Sequence, residues 1–211
     1  ISIALLSWAV SALLDHRFKK YAKVYLPITG REVAEKMLRD NGIYDVQVTC
    51  TPGHLTDHYD PRNKTVNLSE AVYSSNNVAA AAVAAHECGH AVQHAFSYGP
   101  LNIRSALVPV VNFASQWVTW ILLGGILMVE TFPQLLLVGI ILYALTTLFA
   151  FITLPVEINA SRRAIAWLEQ SGITDYQTTS MASSALRSAA YTYVVAALSS
   201  LGTLIYYILI F

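Results

Sequence analysis

Charged residues are scarce in this chain, and their distribution is uneven. Only 12% of the 211 residues are Asp, Glu, Lys or Arg, whereas 55% are hydrophobic. No Lys or Arg occurs between Arg104 and Arg162, and none follows Arg187. Soluble domains carry about 25% charged residues. This composition therefore excludes an ordinary soluble domain and indicates an integral membrane protein.

Three apolar stretches are long enough to cross a hydrocarbon core about 30 Å thick, which takes roughly 20 helical residues. They cover residues 107–129, 134–154 and 188–211. Residues 1–14 form a shorter stretch, interpreted as the end of a first span whose upstream part precedes Ile1. The alternative, a signal peptide, lacks a charged start and a convincing cleavage site. We expect a mainly α-helical membrane protein with about four transmembrane helices.

The basic residues near the span ends predict the orientation. Four of them follow the first span, Arg104 precedes the second, and three lie between the third and fourth, whereas the turn 130–133 has none. We therefore expect a multi-pass protein of the plasma (inner) membrane, with residues 15–105 and 155–187 in the cytoplasm. The two cysteines, Cys50 and Cys88, would then be free thiols in a reducing compartment.

The sequence of residues 15–105 predicts a small α+β unit. Thr29 and Glu32 have the spacing of a capping box, and the helix that they begin ends at Asn41-Gly42. Alternating apolar residues predict a strand at 44–50. They also predict two short strands within 54–68, joined by a turn that contains proline and asparagine.

A second helix of this unit carries several ionisable residues. Asn76 or Asn77 can cap it, and it runs from Val78 to about Phe96, where Gly99-Pro100 ends it. Its second half contains three histidines and a glutamate, which are costly to bury in lipid. We therefore place this helix beside the membrane rather than across it, before the predicted membrane hairpin at 106–154.

The motif H-E-C-G-H occupies residues 86–90 of that helix. Residues four apart share one helical face, so His86 and His90 can direct two ring nitrogens at one point. Glu87 projects beside that point, where a carboxylate can act on a metal-bound water, as in zinc hydrolases. The pattern therefore predicts a catalytic zinc site.

Such a site usually has three protein ligands. His94 lies about 12 Å from His86 along the helix and cannot share the ion, so we interpret it as an ordinary polar contact. The acids on the same side after the motif are Glu157, Glu169 and Asp175. Glu157 follows the membrane hairpin directly, and we predict it as the third ligand. The alternative is a glutamate that stabilises the start of a new helix at Pro155.

Several longer motifs resemble a known family. HECGH, the preceding PGHLTDHYDPRNKTVNLSE, and the following RSALVP and LPVEINASRRA resemble the YugP-like neutral zinc metallopeptidases of bacterial membranes. The resemblance extends from about residue 18 to the end, and the motif order is more distantly similar to that of HtpX-like membrane proteases. It implies a gluzincin-type, zincin-like unit at the membrane surface. In that site His86, His90 and Glu157 bind one Zn²⁺ per chain, and Glu87 is the catalytic base.

One position departs from the HtpX-like pattern. Ser161 stands where that pattern has an aspartate that orients a zinc-binding histidine. A serine hydroxyl can accept the same hydrogen bond more weakly, and Asn159 or Asp60 are alternatives. The reaction also needs a donor for the developing oxyanion. The candidates are His54, His58, Tyr59, Arg163 and Tyr191.

These features predict a zinc-dependent membrane metalloendopeptidase that uses a zinc-activated water to cleave membrane or unfolded proteins. Residues 64–68 are a candidate strand edge, where Thr65, Val66 and Asn67 bind an extended peptide; the alternative is an ordinary solvent-facing hairpin. The expected partners are a polypeptide substrate and the lipid bilayer, and no nucleic acid. A non-catalytic metal-binding membrane protein or a pseudopeptidase remains the alternative. A transporter is disfavoured because the spans have few polar residues.

Overall fold

The computed structural model describes residues 2–211 and is mostly helical. The helices are α1 (Ser2–Tyr21), α2 (Gly30–Asp40), α3 (Glu70–Tyr73), α4 (Val78–Ala95), α5 (Gly99–Leu127), α6 (Pro133–Gln170) and α7 (Tyr176–Ile210); the strands are β1 (Gln47–Thr51), β2 (His58–Asp60) and β3 (Thr65–Ser69). The chain divides into two compact units. The helical unit contains the described residues up to Ser7, Gly99–Pro155 and Tyr193–Phe211, and the mixed unit contains Trp8–Tyr98 and Val156–Thr192.

Within residues 2–211, the helices α5, α6 and α7 are long and apolar enough to cross a membrane. They contain the three long predicted spans. In the helical unit, α5 and α6 approach closely because Gly125 has no side chain: a Cβ there would lie 2.6 Å from the Cα of Leu136. A small apolar core forms around this contact from Val118, Leu122, Leu136 and Ile140.

The fourth expected span, residues 1–14, is not among these three helices. Ile1 lies outside the described residues, and residues 2–14 form the first part of α1, which continues to Tyr21. The last two turns of α1 carry Asp15, Arg17, Lys19 and Lys20, and these charges shorten its apolar run.

The prediction that Pro155 begins a new helix is wrong. Pro155 lies inside α6, which continues from Pro133 to Gln170. A proline within a helix removes one backbone hydrogen bond, and the helix nevertheless extends on both sides of it. Glu157 therefore lies in the middle of a helix, and the alternative of a helix-start glutamate does not apply to it.

Gly99-Pro100 also has a different role from the predicted one. Helix α4 ends earlier, at Ala95, with Phe96 as its C-cap, and Gly99 begins α5. Proline is compatible with the first turn of a helix because an N–H group there has no helical partner.

In the mixed unit, α2 is formed as its sequence predicts. The Thr29 hydroxyl accepts a hydrogen bond from the Glu32 backbone N–H at 3.3 Å, and the Glu32 carboxylate accepts one from the Thr29 N–H at 2.8 Å. This capping box is confirmed. The helix buries Val33, Met37 and Leu38 and packs against α4.

The sheet has the strand order β1-β3-β2. Strands β2 and β3 are antiparallel, as the predicted hairpin requires, and the Asp60 carboxylate accepts hydrogen bonds from Arg62 and Asn63 in the turn between them. The Asp60 carboxylate, one of the alternatives to Ser161, therefore forms its hydrogen bonds within this turn.

The expectation that residues 64–68 form a free strand edge is wrong. Strand β3 is central, because it pairs in parallel with β1 on one side and antiparallel with β2 on the other. Both rows of its backbone groups are used, and Val66 is fully buried. Thr65, Val66 and Asn67 consequently cannot add a peptide strand by edge pairing.

Helix α4 lies in the core of the mixed unit. The Asn77 side chain caps it by accepting a hydrogen bond from the Ala80 N–H at 2.9 Å. Most of its alanines are buried, and they pack with residues of α2, β3, α6 and α7 in one apolar core. Small side chains on α4 permit such close neighbours on several sides.

Candidate metal centre

Helices α4 and α6 bring the three predicted ligands together in the mixed unit. Gly89, inside the H-E-C-G-H motif, is buried against α6: a Cβ at this position would lie 2.6 Å from the Ala160 carbonyl oxygen. The missing side chain thus permits the backbone of α6 to approach α4 beside His86 and His90. Glu157 lies less than one turn before Ala160, so the approach places its carboxylate next to both imidazoles.

The ligand atoms of these three residues converge. Glu157 Oε2 lies 3.3 Å from His86 Nε2 and 3.7 Å from His90 Nε2. All three candidate ligand atoms lie within 4.8 Å of one another. The Glu157 side chain is only 6% exposed, and those of His86 and His90 are 15% and 12% exposed. Bulk water therefore competes little with a bound ion.

This arrangement fits a zinc ion. Tetrahedral Zn²⁺ binds histidine nitrogen and carboxylate oxygen at about 2.0–2.2 Å, which separates neighbouring ligand atoms by about 3.3 Å. The separations of Glu157 Oε2 from His86 Nε2 and His90 Nε2, 3.3 and 3.7 Å, are close to that value. Two imidazoles and one glutamate are also a donor set of catalytic zinc sites, in which the fourth position remains for water.

Each histidine is held through its other ring nitrogen. His86 Nδ1 lies 3.1 Å from Ser161 Oγ, and His90 Nδ1 lies 3.0 Å from Gln93 Oε1. Such contacts orient the rings of metal-binding histidines and fix which nitrogen faces the ion. In both residues the Nε2 atom is the one that faces Glu157.

The charges at the site favour cation binding. Burial by itself lowers the pKa of His90, but the carboxylates of Glu157 and Glu87 raise it, and the net pKa lies above the ordinary value.

Cys88, between the two histidines in sequence, points elsewhere: its Sγ donates to the Ala34 carbonyl at 3.6 Å. Burial raises the pKa of the Cys88 thiol well above its usual range, so it does not offer a thiolate.

Gln93 is part of the site, and the sequence reasoning missed it. It is fully buried, and its Nε2 donates to the Val156 carbonyl at 2.8 Å and to Asn159 Oδ1 at 3.0 Å. Asn159 Oδ1 also accepts a hydrogen bond from Arg163 Nε at 2.8 Å. A lone amide three residues after His90, on the same helical face as the two histidines, is the signal that could have indicated it.

Several other residues that were predicted for the site form hydrogen bonds with groups outside the metal centre. The Tyr59 hydroxyl lies 3.0 Å from His94 Nδ1, and His58 Nδ1 bonds the Thr56 carbonyl at 2.7 Å. His54 and Tyr191 are exposed. Among the described residues, no hydrogen bond joins any of these side chains to the three ligands. Asn67 is held within the sheet by Thr49, Thr65 and His58.

The structure thus combines three apolar helices long enough to cross a membrane with a His-His-Glu cluster that could hold a metal ion. The chain belongs to the family described as "Putative neutral zinc metallopeptidase", which matches residues 1–211. It is 43% identical over 208 residues to the "Putative membrane protease YugP" of Bacillus subtilis (strain 168), covering 98% of this chain and 92% of that protein. No solved structure matches the chain significantly. The family resemblance predicted from the motifs is confirmed.

Proposed function

We propose that this chain is a zinc-dependent membrane metalloendopeptidase that hydrolyses peptide bonds of membrane or unfolded proteins. The observation that carries the proposal is the convergence of the His86, His90 and Glu157 ligand atoms within 4.8 Å of one another. Membership of a zinc metallopeptidase family and the name of the Bacillus relative support the same reaction class.

In this proposal His86, His90 and Glu157 hold one Zn²⁺. When bound, the ion supplies a Lewis acid that lowers the pKa of a water and polarises a carbonyl. Glu87 follows His86 on α4, is partly exposed, and has no hydrogen-bond partner among the described residues. Its carboxylate takes a proton from the attacking water and delivers it to the departing amine as the C–N bond breaks.

A donor for the oxyanion completes the proposed site. The Tyr59 hydroxyl and His58 Nδ1 already form hydrogen bonds with other groups, and Arg163 Nε donates one to Asn159 Oδ1. Tyr191 is 44% exposed on α7 and has no partner in the part of the chain that the structure describes. His54 is exposed like Tyr191, and the guanidinium of Arg163 has further N–H donors, so His54, Arg163 and Tyr191 stay the candidate donors.

The decisive variant is Glu87→Gln, measured beside Glu169→Gln, which changes an exposed glutamate of α6. Each full-length protein is purified in detergent, its zinc content is determined, and its cleavage of an unfolded protein substrate is followed. Glu87→Gln is expected to retain zinc and lose cleavage, whereas Glu169→Gln should retain both. Full activity of Glu87→Gln contradicts the mechanism. Zinc without turnover in the wild-type protein favours a non-catalytic metal-binding function.

The proposed location is the plasma membrane, with the mixed unit in the cytoplasm. Cys50 is exposed and Cys88 is buried, so a membrane-impermeant maleimide reports the side on which Cys50 lies. Labelling is expected in inverted vesicles and not in intact cells, and Cys50→Ser removes it. Labelling of Cys50 from outside intact cells contradicts the orientation.

A further inference from the structure

We propose that Gln93 is a positioning residue, which fixes the ring of His90 for metal binding and joins α4 to the backbone beside Glu157. The inference rests on the proposed function, because it assigns Gln93 a role in the same metal centre. Gln93 is not a ligand: its amide oxygen contacts the ring nitrogen of His90 that faces away from Glu157.

The orientation of the Gln93 amide follows from its partners. The Val156 carbonyl and Asn159 Oδ1 both lie on one side of the amide, at 2.8 and 3.0 Å. A backbone carbonyl can only accept a hydrogen bond, so the NH₂ group of Gln93 must face it. The amide oxygen is thereby directed at His90 Nδ1, 3.0 Å away.

This orientation determines the tautomer of His90. An amide oxygen can only accept a hydrogen bond, so Nδ1 must carry the proton that it accepts. In the neutral ring the other nitrogen, Nε2, then has a free lone pair, which is the form that binds a metal. That nitrogen is the one 3.7 Å from Glu157 Oε2. Gln93 thus selects the metal-binding form of His90 before any ion arrives.

His86 is held differently. Its Nδ1 contacts the hydroxyl of Ser161, which can donate or accept a hydrogen bond. Ser161 therefore orients the ring without selecting a tautomer. Of the two histidines, only His90 has a partner that imposes the proton position.

Gln93 also connects the two elements that supply the ligands. It belongs to α4 with His86 and His90, and its NH₂ group bonds the carbonyl of the residue before Glu157 on α6. Because Gln93 is fully buried, water cannot replace these hydrogen bonds when they are lost. Partners of this kind typically change metal affinity about 10–100-fold when they are mutated.

Two variants of Gln93 test its amide oxygen, which accepts a hydrogen bond, separately from its NH₂ group, which donates them. Gln93→Met keeps the length of the side chain and removes all its hydrogen bonds, whereas Gln93→Glu keeps an acceptor for His90 and loses the NH₂ group. Gln177→Met is the matched control, because Gln177 is exposed at the start of α7. All are measured as full-length protein in detergent.

The first readout is the zinc dissociation constant, determined by competition with a chromophoric chelator. The second is the tautomer of His90 in metal-free protein, read from ¹⁵N NMR of the histidine rings at a pH at which they are neutral. The His90 signal is assigned by its loss in His90→Ala.

Gln93→Met is expected to weaken zinc binding about 10–100-fold and to decrease the Nδ1–H tautomer of His90. Gln93→Glu should restore that tautomer and bind zinc more tightly than Gln93→Met, and Gln177→Met should match the wild type. An unchanged tautomer and zinc affinity in Gln93→Met overturn the proposal, as does failure of Gln93→Glu to restore the tautomer.

These results distinguish the inference from the proposed function. If the wild-type protein binds no zinc, the proposed function fails, while the tautomer measurement still tests Gln93 in the metal-free protein. If the wild-type protein binds zinc and Gln93→Met matches it in both readouts, the positioning role fails and the metal site remains. Should Gln93→Met not fold, the tautomer and affinity of Gln93→Glu decide.

Discussion

Replacing Gly89 with alanine adds one methyl group where the backbones of α4 and α6 approach closely. The new Cβ would lie 2.6 Å from the Ala160 carbonyl oxygen and 3.1 Å from the Ala160 carbonyl carbon and Cα. These atoms belong to the backbone, so no side-chain rotation relieves the contact. To reach an ordinary contact of 3.4 Å, the two helices must separate by about 0.8 Å at this point.

The effect on stability has opposing contributions. Glycine within a helix is less favourable than alanine by about 0.5–1 kcal/mol, so helix propensity alone predicts that Gly89→Ala is stabilising. Overpacking of a buried site costs about 1–3 kcal/mol. We therefore expect a net loss of up to about 2.5 kcal/mol in the free energy of unfolding.

Gly89→Ala should also weaken zinc binding, because it changes the distances between the ligands. Zinc sites require ligand distances within about 0.2 Å of the ideal values. Glu157 is three residues from Ala160 on α6, so a separation of about 0.8 Å there exceeds that tolerance. Gly89→Ala is expected to weaken zinc binding at least about tenfold, which corresponds to about 1.4 kcal/mol.

The assay combines denaturant unfolding with chelator competition for zinc, both on the full-length protein in detergent. Gly99→Ala is the matched control, because a Cβ at Gly99 would meet no atom within 4 Å. The control should retain wild-type zinc affinity. If Gly89→Ala is as stable as the wild type and binds zinc equally well, the close approach of α6 does not determine the site geometry.

Three further predictions concern the Ser161 hydroxyl beside His86, the capping box of α2 and the stabilisation of the fold by zinc. Ser161→Asp should strengthen zinc binding in chelator competition, since a carboxylate accepts the hydrogen bond from His86 more strongly than a hydroxyl; weaker binding contradicts this role. Thr29→Ala should lower the free energy of unfolding by about 0.5–2 kcal/mol in denaturant titrations and leave zinc affinity unchanged, whereas wild-type stability would show that the cap contributes nothing. Zinc at 100 times its dissociation constant should stabilise the wild-type protein by about 2.7 kcal/mol, seen as a higher unfolding temperature that His86→Ala abolishes; an equal shift in that variant would place the ion elsewhere.

Local patterns predicted the elements that depend on neighbouring residues. The Thr29–Glu32 capping box, the hairpin of β2 and β3 and the capped helix α4 each follow from interactions within a few residues, and each is present. The three long apolar helices were also recognisable, because a helix that can cross a membrane needs an uninterrupted apolar run of defined length.

The convergence of Glu157 with His86 and His90 was predicted from the motif and the membrane hairpin, but other features that depend on distant contacts were not. The parallel pairing of β1 with β3 joins strands between which β2 lies in the chain, and no local alternation indicates which strand becomes central. Local rules favour Pro155 as a helix start, but the helix continues through it. Gln93 reads locally as a surface amide, and its burial and its bonds to α6 appear only once the two helices are packed.

Anomalous scattering at the zinc edge, collected from crystals of the full-length protein, would show directly whether His86, His90 and Glu157 hold one zinc ion. One zinc peak per chain is expected, about 2 Å from His86 Nε2, His90 Nε2 and a Glu157 carboxylate oxygen. A zinc peak at other residues, or no zinc between these three side chains in protein crystallised with zinc, would contradict it.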